Sequence, residues 1–237
     1  TLTTSQVSAI NDIFRDIQQS KQSMNRLLLG DVGSGKTIVA AAAIIAAAKA
    51  GYQTAFMAPT EVLANQHYTN LRPTLSKFNI KSDLLTSAHK IKTARPNVII
   101  GTHALIQNRV RFGQLNLVIV DEQHRFGVQQ RSRLKDKNQS EYTPHYLSLS
   151  ATPIPRTIFL TLFSDLDVST LDTIPKGRLP IITRLITPNN FKRATQLLNK
   201  ELAAGHRVFI INPVIDQSKR GLASIKSTHD EFRKYLP

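Results

Sequence analysis

Gly30-Asp31-Val32-Gly33-Ser34-Gly35-Lys36-Thr37 is the most informative segment of this 237-residue chain, since it fits the pattern G-x-x-x-x-G-K-[ST]. An apolar run, Arg26–Leu29, precedes it, and an alanine-rich run, Thr37–Lys49, follows it. A glycine-rich loop between a strand and a helix lets backbone N–H groups surround phosphate oxygens at the positive end of the helix. The segment therefore predicts a phosphate-binding loop in which Lys36 reaches the β- and γ-phosphates and Thr37 ligates Mg²⁺.

Short apolar runs alternate with helical segments around this loop. The predicted strands are Arg26–Leu29, Thr54–Ala58, Asp83–Thr86, Val98–Ile100, Leu117–Val120 and Tyr146–Ser150. The predicted helices between them are Thr37–Lys49, Glu61–Leu75 and Gln129–Lys137. Strands rich in Val, Ile and Leu without polar alternation indicate a mostly parallel sheet with helices on both faces. The sequence thus predicts an α/β fold.

A pair of carboxylates, Asp121 and Glu122, directly follows the predicted strand Leu117–Val120. Ligands of open α/β sheets bind at the carboxyl ends of strands. We therefore expect Asp121 to hold Mg²⁺ and Glu122 to polarise the attacking water as general base. Such a pair on its own is more often a solvated turn, and the phosphate loop is what favours the catalytic interpretation.

Composition limits the classes of protein to which the chain could belong. It is 41% hydrophobic and 20% charged, which is typical of globular proteins, and it has no cysteine for a disulfide, a thiolate zinc site or a cysteine nucleophile. The longest apolar run, Ile38–Ala48, is too short to span a membrane, and no secretory signal is visible, so we expect a cytoplasmic protein. The net charge of +15, with its largest excess between Arg72 and Lys137, indicates a polyanionic partner such as nucleic acid.

The pattern becomes looser after residue 157. A Pro- and Gly-containing linker is followed by a predicted strand, helix, strand and helix: Asp172–Pro180, Thr183–Thr187, Phe191–Ala204, Arg207–Ile211 and Ser224–Leu236. We predict that residues 1–175 form one domain and that residues 176–237 are a linker and the incomplete start of another. The chain does not begin with Met, so we expect it to be a piece of a longer protein.

Six segments resemble the motifs of superfamily-two helicases and occur in the family's order. They correspond to the Q motif and motifs I, Ia, Ib, II and III: Leu2–Gln6, Gly30–Thr37, Ala58–His67, Gly101–Gln107, Asp121–His124 and Ser150–Thr152. The resemblance implies a RecA-like, P-loop NTPase domain that binds ATP and Mg²⁺, followed by the start of a second RecA-like domain.

The resemblance also implies roles for individual residues. Gln6 would read adenine, and the nucleotide would be held by Gly30, Asp31, Val32, Gly33, Ser34, Gly35, Lys36 and Thr37. Gln123 and His124 would act with Lys36 and Glu122 in catalysis, by relaying the state of the γ-phosphate. The phosphates of one DNA strand would be gripped by Pro59, Thr60, Glu61, Gly101, Thr102 and His103. Nucleotide state would be coupled to DNA contacts by Ser150, Ala151 and Thr152. Without the motif order, ordinary capping would be the preferred interpretation of such Thr and Ser residues.

Within the superfamily, four segments are most similar to bacterial branched-DNA translocases: Gly30–Thr37, Thr102–Gln107, Asp121–Arg131 and Ser150–Thr157. This resemblance implies an ATP-dependent helicase that acts on replication forks and Holliday junctions in recombination and repair. It also implies that single-stranded-DNA-binding protein is a further candidate partner and that the full-length parent protein is a monomer. Transcription-repair coupling translocases are an alternative, although they carry Phe in place of Ser34 and Glu in place of Gln123. A nucleotide-gated nucleic-acid binder without hydrolysis is an alternative of another class, and RNA is an alternative substrate.

Three further features lead to weaker expectations. In the family pattern, motifs V and VI lie beyond residue 237, so we expect this chain alone to hydrolyse ATP poorly. The segment Thr86–Asn97 is shorter than the helical connection expected between motifs Ia and Ib. The basic residues of Arg125–Lys137 could either line a DNA channel or form the solvent-exposed face of a helix. Five histidines show no metal-ligand spacing, and we therefore interpret them as surface or packing residues: His67, His89, His145, His206 and His229.

Overall fold

The computed structural model describes residues 2–19, 22–106, 110–121, 143–151, 166–173, 181–187, 191–213 and 224–233. The chain divides into two compact units, Thr1–Arg178 and Leu179–Pro237. The described residues of the first unit form helices α1 (Thr4–Gln19), α2 (Lys36–Lys49) and α3 (Glu61–Lys77) and a 3₁₀ helix (His103–Ile106). They also form strands β1 (Asn25–Gly30), β2 (Gln53–Met57), β3 (Ser82–Leu85), β4 (Val98–Gly101), β5 (Leu115–Asp121), β6 (His145–Ser150) and β7 (Asp167–Leu171).

The seven strands form one sheet in the order β3-β4-β2-β5-β6-β1-β7, and all neighbouring pairs are parallel. Because the strands run in one direction, their carboxyl ends meet at one edge. In this register Leu29 pairs with Ser150, and Asp121 pairs with Leu149. Strands β4 and β5 are buried almost throughout, which requires cover on both faces. The predicted α/β fold with a parallel sheet and flanking helices is confirmed.

Strand β2 shows how the sheet separates two apolar cores. Phe56 packs on one face with residues of the helices, including Ile44 of α2. Its neighbours Ala55 and Met57 pack on the other face, in a cluster that includes Leu105 of the 3₁₀ helix. This separation follows from the alternation of side chains along a strand, which places consecutive residues on opposite faces.

Helices α2 and α3 each begin directly after a sheet strand, at the edge where the carboxyl ends meet. Helix α2 is built mainly of Ala, the best helix former, and is preceded by Gly35 at φ 90°. Helix α3 is capped by Thr60, whose hydroxyl accepts a hydrogen bond from the Leu63 N–H at 3.3 Å. Among the described residues, no helix is long and apolar enough to cross a membrane.

The six strands predicted for the first unit are all present, with ends within two residues of those expected. The sequence did not predict α1 or β7. Strand β7 lies at the edge of the sheet and is mostly polar, so it lacks the continuous apolar run by which the other strands were recognised. The predicted helix Gln129–Lys137 lies outside the described residues.

The second unit contains α4 (Phe191–Ala203) and α5 (Ile225–Phe232), near the predicted helices. The predicted strands Thr183–Thr187 and Arg207–Ile211 are wrong, because these residues have no strand structure. An apolar run becomes a strand only when a neighbouring segment completes its hydrogen bonds, and no described residue pairs with either run. Their apolar side chains are consequently exposed, at 95% for Leu185, 85% for Phe209 and 91% for Ile211.

Candidate active site

The predicted phosphate loop joins β1 to α2 in a tight turn. The Ser34 N–H donates to the Asp31 carbonyl at 3.1 Å, and Gly33 and Gly35 have φ values of 80° and 90°. Residues with side chains rarely adopt this left-handed region. A Cβ on Gly35 would lie 2.3 Å from the Gln6 amide nitrogen, so a side chain here would displace Gln6 from the loop. Gly33 and Gly35 are therefore required by the loop's backbone conformation.

Lys36 is the first residue of α2 and reaches back over the loop. Its Nζ donates to the carbonyl of Gly30 at 2.6 Å and to the carbonyl of Asp31 at 3.1 Å. Thr37 lies in the same first helical turn and is half-buried, while Val32 is exposed at the tip of the loop. The ammonium group, the glycine backbone and the helix N-terminus thus lie together, which is the combination that binds phosphate.

Gln6 ties the N-terminus of α1 to the phosphate loop and is only 5% exposed. Its Nε2 donates to the Ser34 carbonyl at 2.8 Å, and its Oε1 accepts the Thr3 N–H at 2.9 Å. A glutamine amide has two donor hydrogens and two acceptor lone pairs, so one of each is left after these bonds. The position predicted to read adenine therefore also fixes the backbone of the loop.

Asp121 is the last residue of β5 and its carboxylate is largely buried. Its Oδ2 lies 2.7 Å from Nε2 of His67, which projects from α3. The sequence predicted a surface or packing role for His67 and missed this contact. The available signal was its place on the buried face of α3, between Ala64 and Leu71, because a polar group on such a face needs a polar partner.

The phosphate loop follows β1, while Asp121 ends β5 and Ser150 ends β6, and these three strands are consecutive in the sheet with β6 in the centre. The structure therefore brings motif I, the first residue of motif II and the first two residues of motif III to one edge. Ser150 is buried and Ala151 is half-buried there. The other predicted members, Glu122, Gln123, His124 and Thr152, lie outside the described residues.

The predicted DNA-binding segments follow β2 and β4, which are neighbours in the sheet. A hydrogen bond of 2.8 Å from the Ala58 N–H to the Gly101 carbonyl joins the ends of these strands. A Cβ on Gly101 would lie 2.2 Å from the backbone oxygen of Leu85, so the glycine allows β3 and β4 to approach. The two segments therefore form one continuous stretch of the edge, beside Asp121 on β5.

Side chains of these segments are partly engaged in local hydrogen bonds. The exposed Thr60 caps α3, and the Thr102 hydroxyl accepts the Ala104 N–H at 3.5 Å. The Glu61 carboxylate accepts the Ser87 N–H at 2.9 Å. The remaining two predicted contacts are Pro59, which is half-buried, and His103, which is exposed. The exposed positions leave this stretch accessible to a phosphate backbone.

The connection of residues 86–97 contains no helix and is organised by one carboxylate, Asp83 of β3. Its Oδ2 accepts the N–H groups of Lys92, at 2.6 Å, and Thr93, and its Oδ1 accepts the Leu84 N–H at 2.8 Å. Burial alone would raise the pKa of Asp83, but the hydrogen bonds from Thr93, Leu84 and Lys92 outweigh it and lower this pKa below 3.8. A short loop is thus anchored without the helical connection expected between motifs Ia and Ib.

The oxygen-bearing side chains at this edge of the sheet are of the type that binds Mg²⁺. Mg²⁺ prefers oxygen ligands and usually binds to one or two protein groups together with substrate phosphates and water. Asp121 offers a carboxylate and Thr37 a hydroxyl beside the phosphate loop. Among the described residues, no group of three or more His, Cys, Asp or Glu side chains could hold a metal ion by itself.

The family model of the DEAD/DEAH box helicases matches residues 3–160, more than half of the chain. The chain therefore belongs to the DEAD/DEAH box helicase family. Within this class it is similar to proteins described as ATP-dependent DNA helicase RecG. The relative from Synechocystis sp. is 46% identical over 99% of this chain and 29% of its own length, and the relative from Aquifex aeolicus is 43% identical over 100% and 31%. The chain thus spans about a third of the curated relatives that it matches.

Solved structures agree with this assignment. A structure of RecG bound to a three-way DNA junction matches with a TM-score of 0.77 and 39% identity, over 99% of this chain and 31% of that one. The helicase MrfA bound to DNA matches with a TM-score of 0.61 and 17% identity, over 85% of this chain and 32% of that one, which shows the fold alone. The RecA-like helicase fold and the resemblance to the branched-DNA translocases, both predicted from the sequence, are confirmed.

Proposed function

We propose that this chain is the ATP-binding part of an ATP-dependent DNA helicase that acts on branched DNA, such as stalled forks and Holliday junctions, in recombination and repair. The observation that carries the proposal is the phosphate loop and Asp121 at one sheet edge, in a chain 39% identical to RecG bound to a three-way DNA junction. Hydrolysis of ATP at this edge would drive movement on DNA.

The nucleotide is bound by the phosphate loop. Lys36 exchanges the carbonyls of Gly30 and Asp31 for phosphate oxygens, because a charge-assisted bond to an anion is stronger than one to a neutral carbonyl. Thr37 and Asp121 would hold Mg²⁺, which when bound would supply charge neutralisation at the transferring phosphoryl group. Glu122 orients the attacking water as general base, with Gln123 and His124 relaying the γ-phosphate state. Gln6 holds the loop and presents its remaining amide donor and acceptor to adenine.

DNA is bound beside the nucleotide, at the stretch of edge that follows β2 and β4. The strand phosphates are gripped by Pro59, Thr60, Glu61, Gly101, Thr102 and His103. Contacts to phosphate position a protein on DNA without reading sequence, which suits a protein that moves along it. Ser150 ends β6, which lies between the strands that lead to Asp121 and to the phosphate loop. Ser150, Ala151 and Thr152 are proposed to couple the two sites.

The wider properties of the parent protein follow from the same resemblance. We infer that residues 1–175 form the first RecA-like domain and that residues 176–237 begin the second. Single-stranded-DNA-binding protein is a candidate partner, the full-length parent is a monomer, and its compartment is the cytoplasm. The net charge of +15 supports a polyanionic partner, since a basic surface attracts nucleic acid.

Calorimetric titration of Mg·ATP into this chain tests the proposal. Lys36→Ala removes a charged hydrogen bond to phosphate worth about 1.5–3 kcal/mol, so affinity falls at least about tenfold. Lys49→Ala, at the exposed far end of the same helix, is the matched control and leaves affinity unchanged. Equal affinity of the Lys36→Ala and wild-type chains would contradict the proposed phosphate site.

The same titration with fork DNA, linear duplex or RNA present tests the substrate. Fork DNA raises nucleotide affinity more than the other two polymers if the sites are coupled as proposed. A larger effect of RNA would favour RNA as the substrate. In the full-length parent, Glu122→Gln abolishes hydrolysis, whereas unchanged hydrolysis would instead support a nucleotide-gated binder.

A further inference from the structure

We propose, resting on the ATP-binding function proposed above, that His67 is a positioning residue for the magnesium ligand Asp121. The His67 side chain holds one oxygen of the carboxylate, Oδ2, and thereby sets the direction in which the other oxygen, Oδ1, is presented to the metal. His67 belongs to α3, which comes from a different part of the chain than the phosphate loop and β5.

The contact itself is short and sheltered. Nε2 of His67 lies 2.7 Å from Oδ2 of Asp121, and the two side chains are only 12% and 13% exposed. We infer that His67 carries a proton on Nε2 and donates it to this oxygen, because carboxylate oxygens accept hydrogen bonds. Hydrogen bonds to a charged acceptor are shorter and stronger than neutral ones, and shelter from water strengthens them further.

The imidazole ring is held in place by its own packing. Its centroid lies 4.7 Å from that of Phe56, with the ring planes inclined at 45°. Phe56 is fully buried in β2, where it pairs with Ile119 of β5, the strand that carries Asp121. The donor is therefore fixed relative to the strand on which the carboxylate sits.

A fixed donor matters because a carboxylate is otherwise loosely oriented. The terminal torsion of Asp is broad and nearly two-fold, so the two oxygens exchange places easily. Mg²⁺ demands near-ideal octahedral geometry, which makes its affinity sensitive to ligand direction. Loss of a hydrogen-bond partner behind a metal ligand typically lowers metal affinity about 10–100-fold.

Two substitutions separate positioning from simple packing. His67→Phe keeps a ring against Phe56 but has no donor, whereas His67→Gln places an amide N–H close to the position of the imidazole Nε2. Asp121→Asn serves as the reference for a lost metal ligand. A fluorescent, non-hydrolysable ATP analogue is titrated into each chain with Mg²⁺ and again with EDTA. The dissociation constant in EDTA divided by that in Mg²⁺ measures how much the metal contributes to binding.

The expected result is a loss confined to the metal. His67→Phe lowers the ratio about tenfold or more, towards that of Asp121→Asn, while affinity in EDTA stays at the wild-type value. His67→Gln stays within about threefold of wild type, because its amide restores the donor. Thermal unfolding of each variant is measured in parallel.

Two results would overturn the inference. A wild-type ratio in His67→Phe would show that Asp121 needs no partner, and an equal loss of affinity in EDTA and in Mg²⁺ would show that His67 only shapes the pocket. Failure of the proposed function itself is distinct, since it would appear as nucleotide affinity that does not depend on Lys36.

Discussion

Replacement of Gln6 by Ala tests whether α1 holds the phosphate loop in its binding conformation. The Gln6 side chain makes one hydrogen bond to the phosphate loop, from Nε2 to the Ser34 carbonyl at 2.8 Å. It makes a second to the residues before α1, where Oε1 accepts the Thr3 N–H at 2.9 Å. The first of these is buried, so the Ser34 carbonyl would lose its partner where water has little access. Gln6→Ala therefore removes both the anchor of the loop and the order of the α1 N-terminus.

The magnitude follows from these two bonds. Each contributes about 1 kcal/mol net, so Gln6→Ala lowers the free energy of unfolding by about 2 kcal/mol. Gln6→Glu is expected to be worse, although it has the same shape, because it turns a donor into a carboxylate oxygen facing the Ser34 carbonyl. An unpaired buried charge costs about 3 kcal/mol or more. The order wild type, Ala, Glu is the specific signature of an amide that donates to the loop.

Urea unfolding followed by circular dichroism measures the effect. With a slope of about 2 kcal/mol per molar urea, Gln6→Ala shifts the midpoint down by about 1 M. Gln66→Ala, at an exposed position of α3, is the control and leaves the midpoint within about 0.3 M of wild type. The reasoning is refuted if Gln6→Ala behaves like this control, or if Gln6→Glu is the more stable of the two variants.

Two further predictions concern the sheet around the site. Gly101→Ala places its Cβ 2.2 Å from a backbone oxygen and is expected to destabilise the chain by about 3 kcal/mol, whereas Gly113→Ala, whose nearest contact is 3.5 Å, is neutral in the same urea assay. Burial lowers the pKa of His145 below 6.5, although the Asp16 carboxylate acts in the opposite direction. The neutral imidazole therefore contributes stability that is fully present above pH 6.5 and is lost as the pH falls through the lowered pKa. His145→Asn keeps an acceptor for the Met24 N–H but has no titrating group. Between about pH 7.5 and about pH 5 its melting temperature should therefore fall less than that of wild type. Melting temperatures that fall equally with pH in the two chains would contradict this assignment.

The centre of the first unit was predictable because local pattern and tertiary environment agree there. Strands such as β4 and β5 are buried on both faces, and only strongly apolar runs tolerate that environment. The phosphate loop was predictable for a different reason, since its backbone conformation requires Gly33 and Gly35. Parallel strands then bring separate motifs to one edge, so the neighbourhood of Asp121 and the loop followed from topology.

The parts that could not be predicted depend on partners distant in the sequence. Arg26 of β1 is buried and donates to Asp16 of α1 at 2.7 Å and to the Ser169 hydroxyl of β7 at 2.9 Å. These polar contacts hold α1 and β7 beside β1, and no local apolar pattern reveals them. The runs Thr183–Thr187 and Arg207–Ile211 show the converse, because a strong local pattern forms no strand without a neighbour.

Helix α3 explains why the contact of His67 was easily missed in the sequence and why it matters for the site. The helix begins at the capping residue Thr60, in the segment proposed to grip DNA, and His67 follows seven residues later, about 10 Å along the axis. Its apolar face packs on the sheet through Ala64 and Leu71, so helical periodicity accounts for the element without reference to Asp121. One rigid helix therefore carries both a proposed DNA contact and the hydrogen-bond donor to the proposed metal ligand. The two sites share a structural element as well as a sheet edge.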